Sequence, residues 1–327
     1  MTPDARHLPA SGIDMVPGAV LMPMTPDTGM ACGALGPDGA PLPAARTLLS
    51  GNRFTPDPEM PKDAPAHLPG RWLFAGVGRH HFGHFLLEAI PRLWALDHIA
   101  QPVDGIALIP MYGRDIAAVL RRRLGPLLAL LGQNLPVHLI DRPTRVDMLV
   151  LPSQGFGHLH WSHGTPEARA YMRRLLCTDA PPGGPDKIYI SRRRLKSPAQ
   201  QVPHEKQIER WMSQAGYAVL HPERLTIADQ IDHYRAATTI VGPDGSAFHF
   251  APFVMPRGAR VGLIQRRTRQ ATFDAIARQI EGFADADLIT TSAIARLDNA
   301  PQDLDSDSAI PPELRQLRAD LKAAGFI

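Results

Sequence analysis

Between Asp186 and Ile264 the chain alternates short β-branched runs with amphipathic helical runs, and few folds accept that order. Lys187–Ser191, Tyr217–Leu220, Thr239–Val241 and Ala259–Ile264 are predicted strands. Residues 204–215 carry Ile208, Trp211, Met212 and Ala215 at helical spacing. Thr226–Ala237 is a second predicted helix, with Thr226 at its N-cap and Asp229 three residues on. Strands alternating with helices imply a parallel sheet with right-handed crossovers, whose ligands bind at the carboxyl ends of the strands.

Two features fall at those ends. Ser191-Arg192-Arg193-Arg194 follows the first strand, and Gly242-Pro243-Asp244-Gly245-Ser246 follows the third. Two glycines let backbone approach a ligand at the start of a predicted helix, where N–H groups and the helix dipole favour an anion. Arginines at the same sheet edge suit a diphosphate. Either feature alone is equally well a tight turn or a solvated rim; together they favour phosphate.

Upstream, HFGHFLLEAIPRL occupies residues 81–93. His84 and Glu88 are four apart, on one face of a helix predicted over Phe82–His98. A histidine-oriented carboxylate can take a proton from a hydroxyl, or the pair can simply tie the helix to a loop. Pro91 is expected to kink this helix and leave the pair facing a cleft rather than the core. Further strands are predicted at Trp72–Val77, Ile106–Ile109, Val137–Ile140 and Met148–Leu151, with helices over Asp115–Leu131 and Pro166–Cys177.

The two motifs resemble those of family 61 glycosyltransferases: HFGHFLLEAIPRL, and the order KIYISRR, GYAV, PERL, DQI, IVGPDGSA. Together they span most of residues 72–264. The resemblance implies a GT-B fold, in which two Rossmann-like α/β domains with parallel sheets face a cleft. It implies inverting transfer from a nucleoside-diphosphate sugar, most simply UDP-linked, to a glycan acceptor in capsule, exopolysaccharide or lipopolysaccharide synthesis. Glu88 stands where the family has its base, with His84 beside it. Arg192, Gly242, Gly245 and Ser246 match the donor-phosphate residues, and Glu223 and Gln230 match an element that reaches donor hydroxyls. Independently of the resemblance, His158 and Trp161 could line the acceptor side, with Trp161 stacking on a sugar face, although an edge-of-core tryptophan is equally ordinary.

Asp244 departs from the commoner Gly-x-His-Gly pattern, and an ionised aspartate would repel a diphosphate. Asp244 turns to the acceptor, or His249 takes the phosphate role, or Asp244 caps the following helix. The departure keeps open a binding protein with a decayed site. The clusters His80, His81, His84 and His158, His160, His163 lack a cysteine or a His-Glu-x-x-His pattern, so no metal or other cofactor is expected. A metal-dependent hydrolase is the corresponding rival. Arg121–Arg123 are expected to form a solvated face. Arg266, Arg267 and Arg269, beyond the last strand, could hold phosphate or an anionic surface, although charge runs of this sort usually face solvent.

The 327 residues suffice for two cored domains. The expected division is a lead with accessory strands (1–70, with Thr55–Pro69 an extended loop), an acceptor domain (71–180), a linker over Ala180–Pro185, a nucleotide-sugar domain (186–265), and a final segment (266–327). That segment holds a helix over Phe273–Phe283, an acidic loop over Asp298–Asp307 and a last helix from Pro312, expected to pack back on the first domain. Net charge is 35 − 32 = +3, too small and dispersed for a nucleic-acid partner, though a basic face leaves peripheral membrane attachment open. Two cysteines, no apolar run of spanning length and no leader pattern point to the cytoplasm. The Pro, Ala and Arg bias suggests a bacterial source.

Overall fold

The computed structural model describes residues 7–113, 115–177, 182–297 and 310–327. It divides into two compact units, Met1–Leu175 and Leu176–Ile327. Both are mixed α/β.

The first unit holds β1 (Ile13–Pro17), β2 (Val20–Met22), β3 (Gly33–Leu35), β4 (Leu48–Leu49), β5 (Arg53–Phe54), β6 (Ala66–Gly78), β7 (Gly105–Pro110), β8 (Val137–Leu139) and β9 (Thr144–Pro152). Its sheet has the order β3-β2-β9-β6-β7-β8, with β1 also paired to β9. β9, β6, β7 and β8 run parallel, while β1 and β2 join β9 antiparallel. The accessory strands expected in residues 1–70 include β1, β2 and β3, which extend this sheet. β6 also absorbs the end of the expected Thr55–Pro69 loop, and a register shift between Leu68 and Arg71 accommodates Pro69 and Gly70. Phe74, Val77, Ala107, Ile109, Leu149 and Leu151 form its core.

The helix expected over Asp115–Leu131 is broken in two. Ile116–Val119 and Gly125–Leu131 are joined by a π-helical turn, Leu120–Leu124. Pro126 lacks an N–H, and its ring pushes on the carbonyl four residues back, which widens the turn. The side chains of Arg121 and Arg123 lie outside the described residues.

The second unit holds β10 (Lys187–Ile190), β11 (Ala218–Leu220), β12 (Thr239–Pro243), β13 (Arg260–Ile264) and β14 (Asp287–Thr291). Every pairing is parallel, in the order β11-β10-β12-β13-β14. The four predicted strands form, as does the Thr226–Asp229 capping box. β14 was not expected, because its acidic start and polar end mask a strand that pairs along β13. The crossovers from β10 to β11 and from β11 to β12 leave β10 beside β12. The winding order reverses there, and in sheets of this kind ligands bind at the carboxyl ends of the two strands flanking such a point.

The two helices expected after β13 form, but they belong to the second unit and not to the first. The helix Gln270–Ala284, β14 and the helix Pro312–Ala323 complete the second unit. Leu314, Leu317, Leu321 and Phe326 are buried in one core with Tyr189, Ile208, Trp211 and Val241. The acidic loop and the start of the Ala180–Pro185 linker lie outside the described residues.

Candidate active site

In the first unit, the helix after β6 spans Phe82–Glu88 and is followed by a 3-10 turn, Leu93–Asp97, rather than running to His98. Pro91 has no N–H to offer the Leu87 carbonyl and disfavours helix at the residue before it. The Leu87 carbonyl instead accepts from Gln154 Nε2 at 3.0 Å. Glu88 thus sits at the helix end, against a bulge in β6. Gly76 in that bulge has φ +112°, and a Cβ there would lie 2.4 Å from the Glu88 carbonyl oxygen. Only glycine meets both demands.

The Glu88 side chain, expected to face a cleft rather than the core, is 0% exposed, against 25% for His84 and 12% for His158. Oε1 accepts from His158 Nε2 at 2.8 Å, His84 Nδ1 at 2.9 Å and Arg79 Nη1 at 3.4 Å. Oε2 is buried with no hydrogen-bond partner. Burial alone would push this carboxyl up, but hydrogen bonds from His158 and His84 outweigh it and hold it below the usual carboxylate range. Glu88 is therefore ionised at neutral pH. With Nδ1 of His84 directed at the carboxylate, Nε2 is the ring nitrogen left for a ligand.

Each histidine cluster supplies one member to this site. The ligand atoms of His84, Glu88 and His158 lie within 4.8 Å of one another, a grouping that could also hold a metal ion. Trp161 does not present a face for stacking: it is 1% exposed, with its ring packed on Phe54 at 5.6 Å between centroids. An apolar neighbour from β5 claims the indole, which no local pattern reveals.

In the second unit, the two sequence features at the sheet edge touch. Gly242 lies so close to the end of β10 that a Cβ would be 2.7 Å from the Ile190 carbonyl oxygen. At Gly245 a Cβ would be 2.0 Å from Arg192 Nη1. Arg192 is held by its Nε on the Gln200 carbonyl at 2.8 Å. Ser246 opens a 3-10 turn, Ser246–His249, followed by one helical turn, Ala251–Val254. Pro252 and Pro256 keep these pieces short, so the helix dipole expected here is absent and any anion must be met by side chains and backbone N–H groups.

Asp244 is 5% exposed, and its Oδ1 accepts from the Arg266 N–H at 2.8 Å. It is not the cap of the following turn, whose N-cap is Gly245 without a side-chain bond. His249 is bound through Nδ1 to Gln279 Oε1 at 2.7 Å. Arg266, in a charge run of the kind that usually faces solvent, is 8% exposed. The reason is its place one strand over, beside Asp244.

The family model described as Glycosyltransferase 61 matches residues 82–262, more than half of the chain. The chain belongs to glycosyltransferase family 61. It is accordingly an enzyme, with a sugar donor and an acceptor as substrates. No curated protein matches it. The matched span of this family 61 enzyme includes Glu88, its two histidines, Arg192 and the glycine turn, and it stops before Arg266 and Arg267. Among the described residues no helix is long and apolar enough to cross a membrane.

Two further sequence-predicted residues of the glycosyltransferase lie after β11. Glu223 is in the 3-10 turn Pro222–Arg224, with Oε1 buried and unpartnered. Gln230 donates through Nε2 to the Pro222 and Leu225 carbonyls at 3.1 and 3.4 Å, so it secures the loop that carries Glu223. Sequence reasoning missed Glu205. Its Oε1 accepts from the Arg192 N–H at 2.9 Å and the Tyr189 hydroxyl at 3.2 Å.

Burial pushes the Glu205 carboxyl up to about 7, against the bonds from the Arg192 N–H and Tyr189. In the unfolded chain it titrates near ~4.3. Between those values the folded state holds the extra proton, so stability falls as pH rises through that window and stays lower above it. Glu205→Gln keeps Oε1 as acceptor and carries no charge. Its melting temperature is expected to exceed wild type by a few degrees at pH 8, with the gap narrowing toward pH 5. A gap that does not change with pH would remove the buried-charge account.

Proposed function

We propose that this family 61 enzyme transfers a sugar, with inversion, from a UDP-linked donor to a hydroxyl of a glycan acceptor, without a divalent metal. Its setting would be bacterial capsule, exopolysaccharide or lipopolysaccharide synthesis, in the cytoplasm at the inner membrane surface. The reading takes the two units to face each other across a cleft in the GT-B manner, with the donor held by the second. The observation that carries it is an ionised carboxylate bearing two histidine N–H groups within the matched span. Inversion by one displacement needs a base on the acceptor and charge neutralisation on the leaving diphosphate.

Because Glu88 is enclosed and His84 is partly exposed, the base is the pair rather than the carboxylate alone. The acceptor oxygen attacks the anomeric carbon as the bond to the diphosphate oxygen breaks. The hydroxyl proton passes to His84 Nε2, and the Glu88 charge stabilises the imidazolium. The electron pair leaves with the diphosphate, next to Arg192.

The test is release of free nucleotide from UDP-, GDP-, CMP- and dTDP-sugars in the presence of EDTA. Slow turnover of a UDP-sugar is the expected result. Turnover lost to EDTA and restored by one divalent ion would make His84, Glu88 and His158 ligands and overturn the metal-free reading. A donor that binds and is never consumed, with any glycan supplied, would favour a binding protein.

A further inference from the structure

β13 leaves the sheet beside β12, with Gly242 opposite Leu263 and Pro243 opposite Ile264. Arg266 and Arg267 therefore emerge at the same carboxyl edge as Asp244 and Gly245, which Arg192 covers. The Asp244 N–H donates to the Ile264 carbonyl at 2.9 Å, and Arg266 Nε donates to the Asp244 carbonyl at 2.8 Å. With the Arg266 N–H on Asp244 Oδ1 at 2.8 Å, both the backbone and the side chain of Asp244 fix this arginine.

The cationic groups here are incompletely paired. Arg193 has its own carboxylate, Glu209 Oε2, at 2.7 Å. Asp244 lies against Arg266, with Oδ2 3.8 Å from its Nε, and Glu205 and Glu223 also act on Arg192. Among the described residues, Arg192, Arg266 and Arg267 pair with none of these carboxylates through their terminal nitrogens. The Nε atoms of Arg192 and Arg266 have carbonyl partners, whereas their terminal nitrogens have no hydrogen-bond acceptor among the described residues. Arg267 Nε is buried and unpartnered. Burial and the neighbouring Arg192 charge bring Arg266 down to about 9, and Arg267 acts on both in the same sense. Guanidinium groups gathered in a partly enclosed corner, at the point where strand order reverses, call for a multiply charged anion.

We infer that Arg266 and Arg267 join Arg192 in holding the diphosphate of the donor, and that Asp244 is the positioning residue that aims Arg266. This rests on the nucleoside-diphosphate reading above. It also accounts for an aspartate in the glycine turn: its charge faces Arg266 and is matched there, rather than standing bare before a phosphate.

The probes are inorganic pyrophosphate and UDP, titrated by calorimetry into the full chain, with ligand-free melts to confirm folding. Arg267→Gln is expected to weaken both ligands about tenfold or more, as loss of a charge-assisted bond does. Arg266→Lys, which keeps the charge and loses the fork, is expected to weaken them as well. Asp244→Ala should weaken binding, and Asp244→Asn, which retains the Oδ1 acceptor, should restore it. Wild-type affinity in Arg267→Gln and Arg266→Lys, with loss in Arg192→Gln, would overturn the inference and leave the donor site standing. Tighter binding in both Asp244 variants would make Asp244 a repelling charge and overturn its positioning role. A wild-type protein that binds neither probe would sink the donor reading and this inference together.

Discussion

Glu88→Gln is expected to lower turnover by about 10²–10⁴-fold while leaving donor binding unchanged. Gln preserves the shape of the side chain and one oxygen acceptor, so a histidine N–H can still be received. What disappears is the charge that neutralises an imidazolium at His84. Loss of this kind appears in kcat, because the interaction strengthens only as the proton moves. Calorimetry with UDP should give the wild-type affinity, since the residues proposed to hold the donor belong to the second unit. Turnover within a few-fold of wild type would remove Glu88 from the chemistry. The ionised form of Glu88 also stabilises the fold. Its folded-state pKa is depressed, so its contribution is complete above the unfolded value and is lost as pH falls through the folded one.

Arg92→Met should be strongly damaging to stability, although no step of the proposed chemistry is assigned to Arg92. Arg92 is 0% exposed and lies over the Phe74 ring at 5.2 Å. Its Nε donates to the Pro152 carbonyl at 3.1 Å, and its Nη2 to the carbonyls of Ala44 and Arg46 at 3.0 and 2.6 Å. Its Nη1 reaches Thr47 Oγ1 at 3.4 Å. No carboxylate pairs with it among these partners, and burial brings its pKa down to about 9. Methionine fills much of the volume but leaves those oxygens unsatisfied, at about 1–3 kcal/mol each before the relief of a desolvated charge is subtracted. A net loss of about 3 kcal/mol is expected, read as a fall in melting temperature of about 6–12 °C. Arg92→Lys should recover little, because a single ammonium cannot span the acceptors that the fork reaches. A melting temperature within 2 °C of wild type, by the same rough scaling under 1 kcal/mol, would refute the account. The Pro-Arg-Leu end of the family motif is on this view structural. It anchors the amino-terminal strands to the element that carries Glu88.

The alternation of strands and helices in the second unit was legible in the sequence because each piece is short and its periodicity is local. So were the capping box at Thr226 and the meeting of Ser191–Arg194 with Gly242–Ser246, since parallel βαβ order brings every strand's carboxyl end to one edge. The pairing of His84 with Glu88 followed from helical spacing alone. Other properties depended on which elements pack together, and no period in the chain reports that. His158 reaches Glu88 across 70 residues of sequence. Trp161 is enclosed by β5, and β14 is a strand only because β13 offers it an edge. Arg266 looked like part of a solvated charge run, and it is buried because the end of β13 lies against Asp244. Sequence by itself determined the parallel α/β class and the residue types gathered for the chemistry. Burial, and with it the ionised state of Glu88 and the orientation of Arg266, was decided only by tertiary contact, because desolvation and hydrogen-bond geometry arise from neighbours in space.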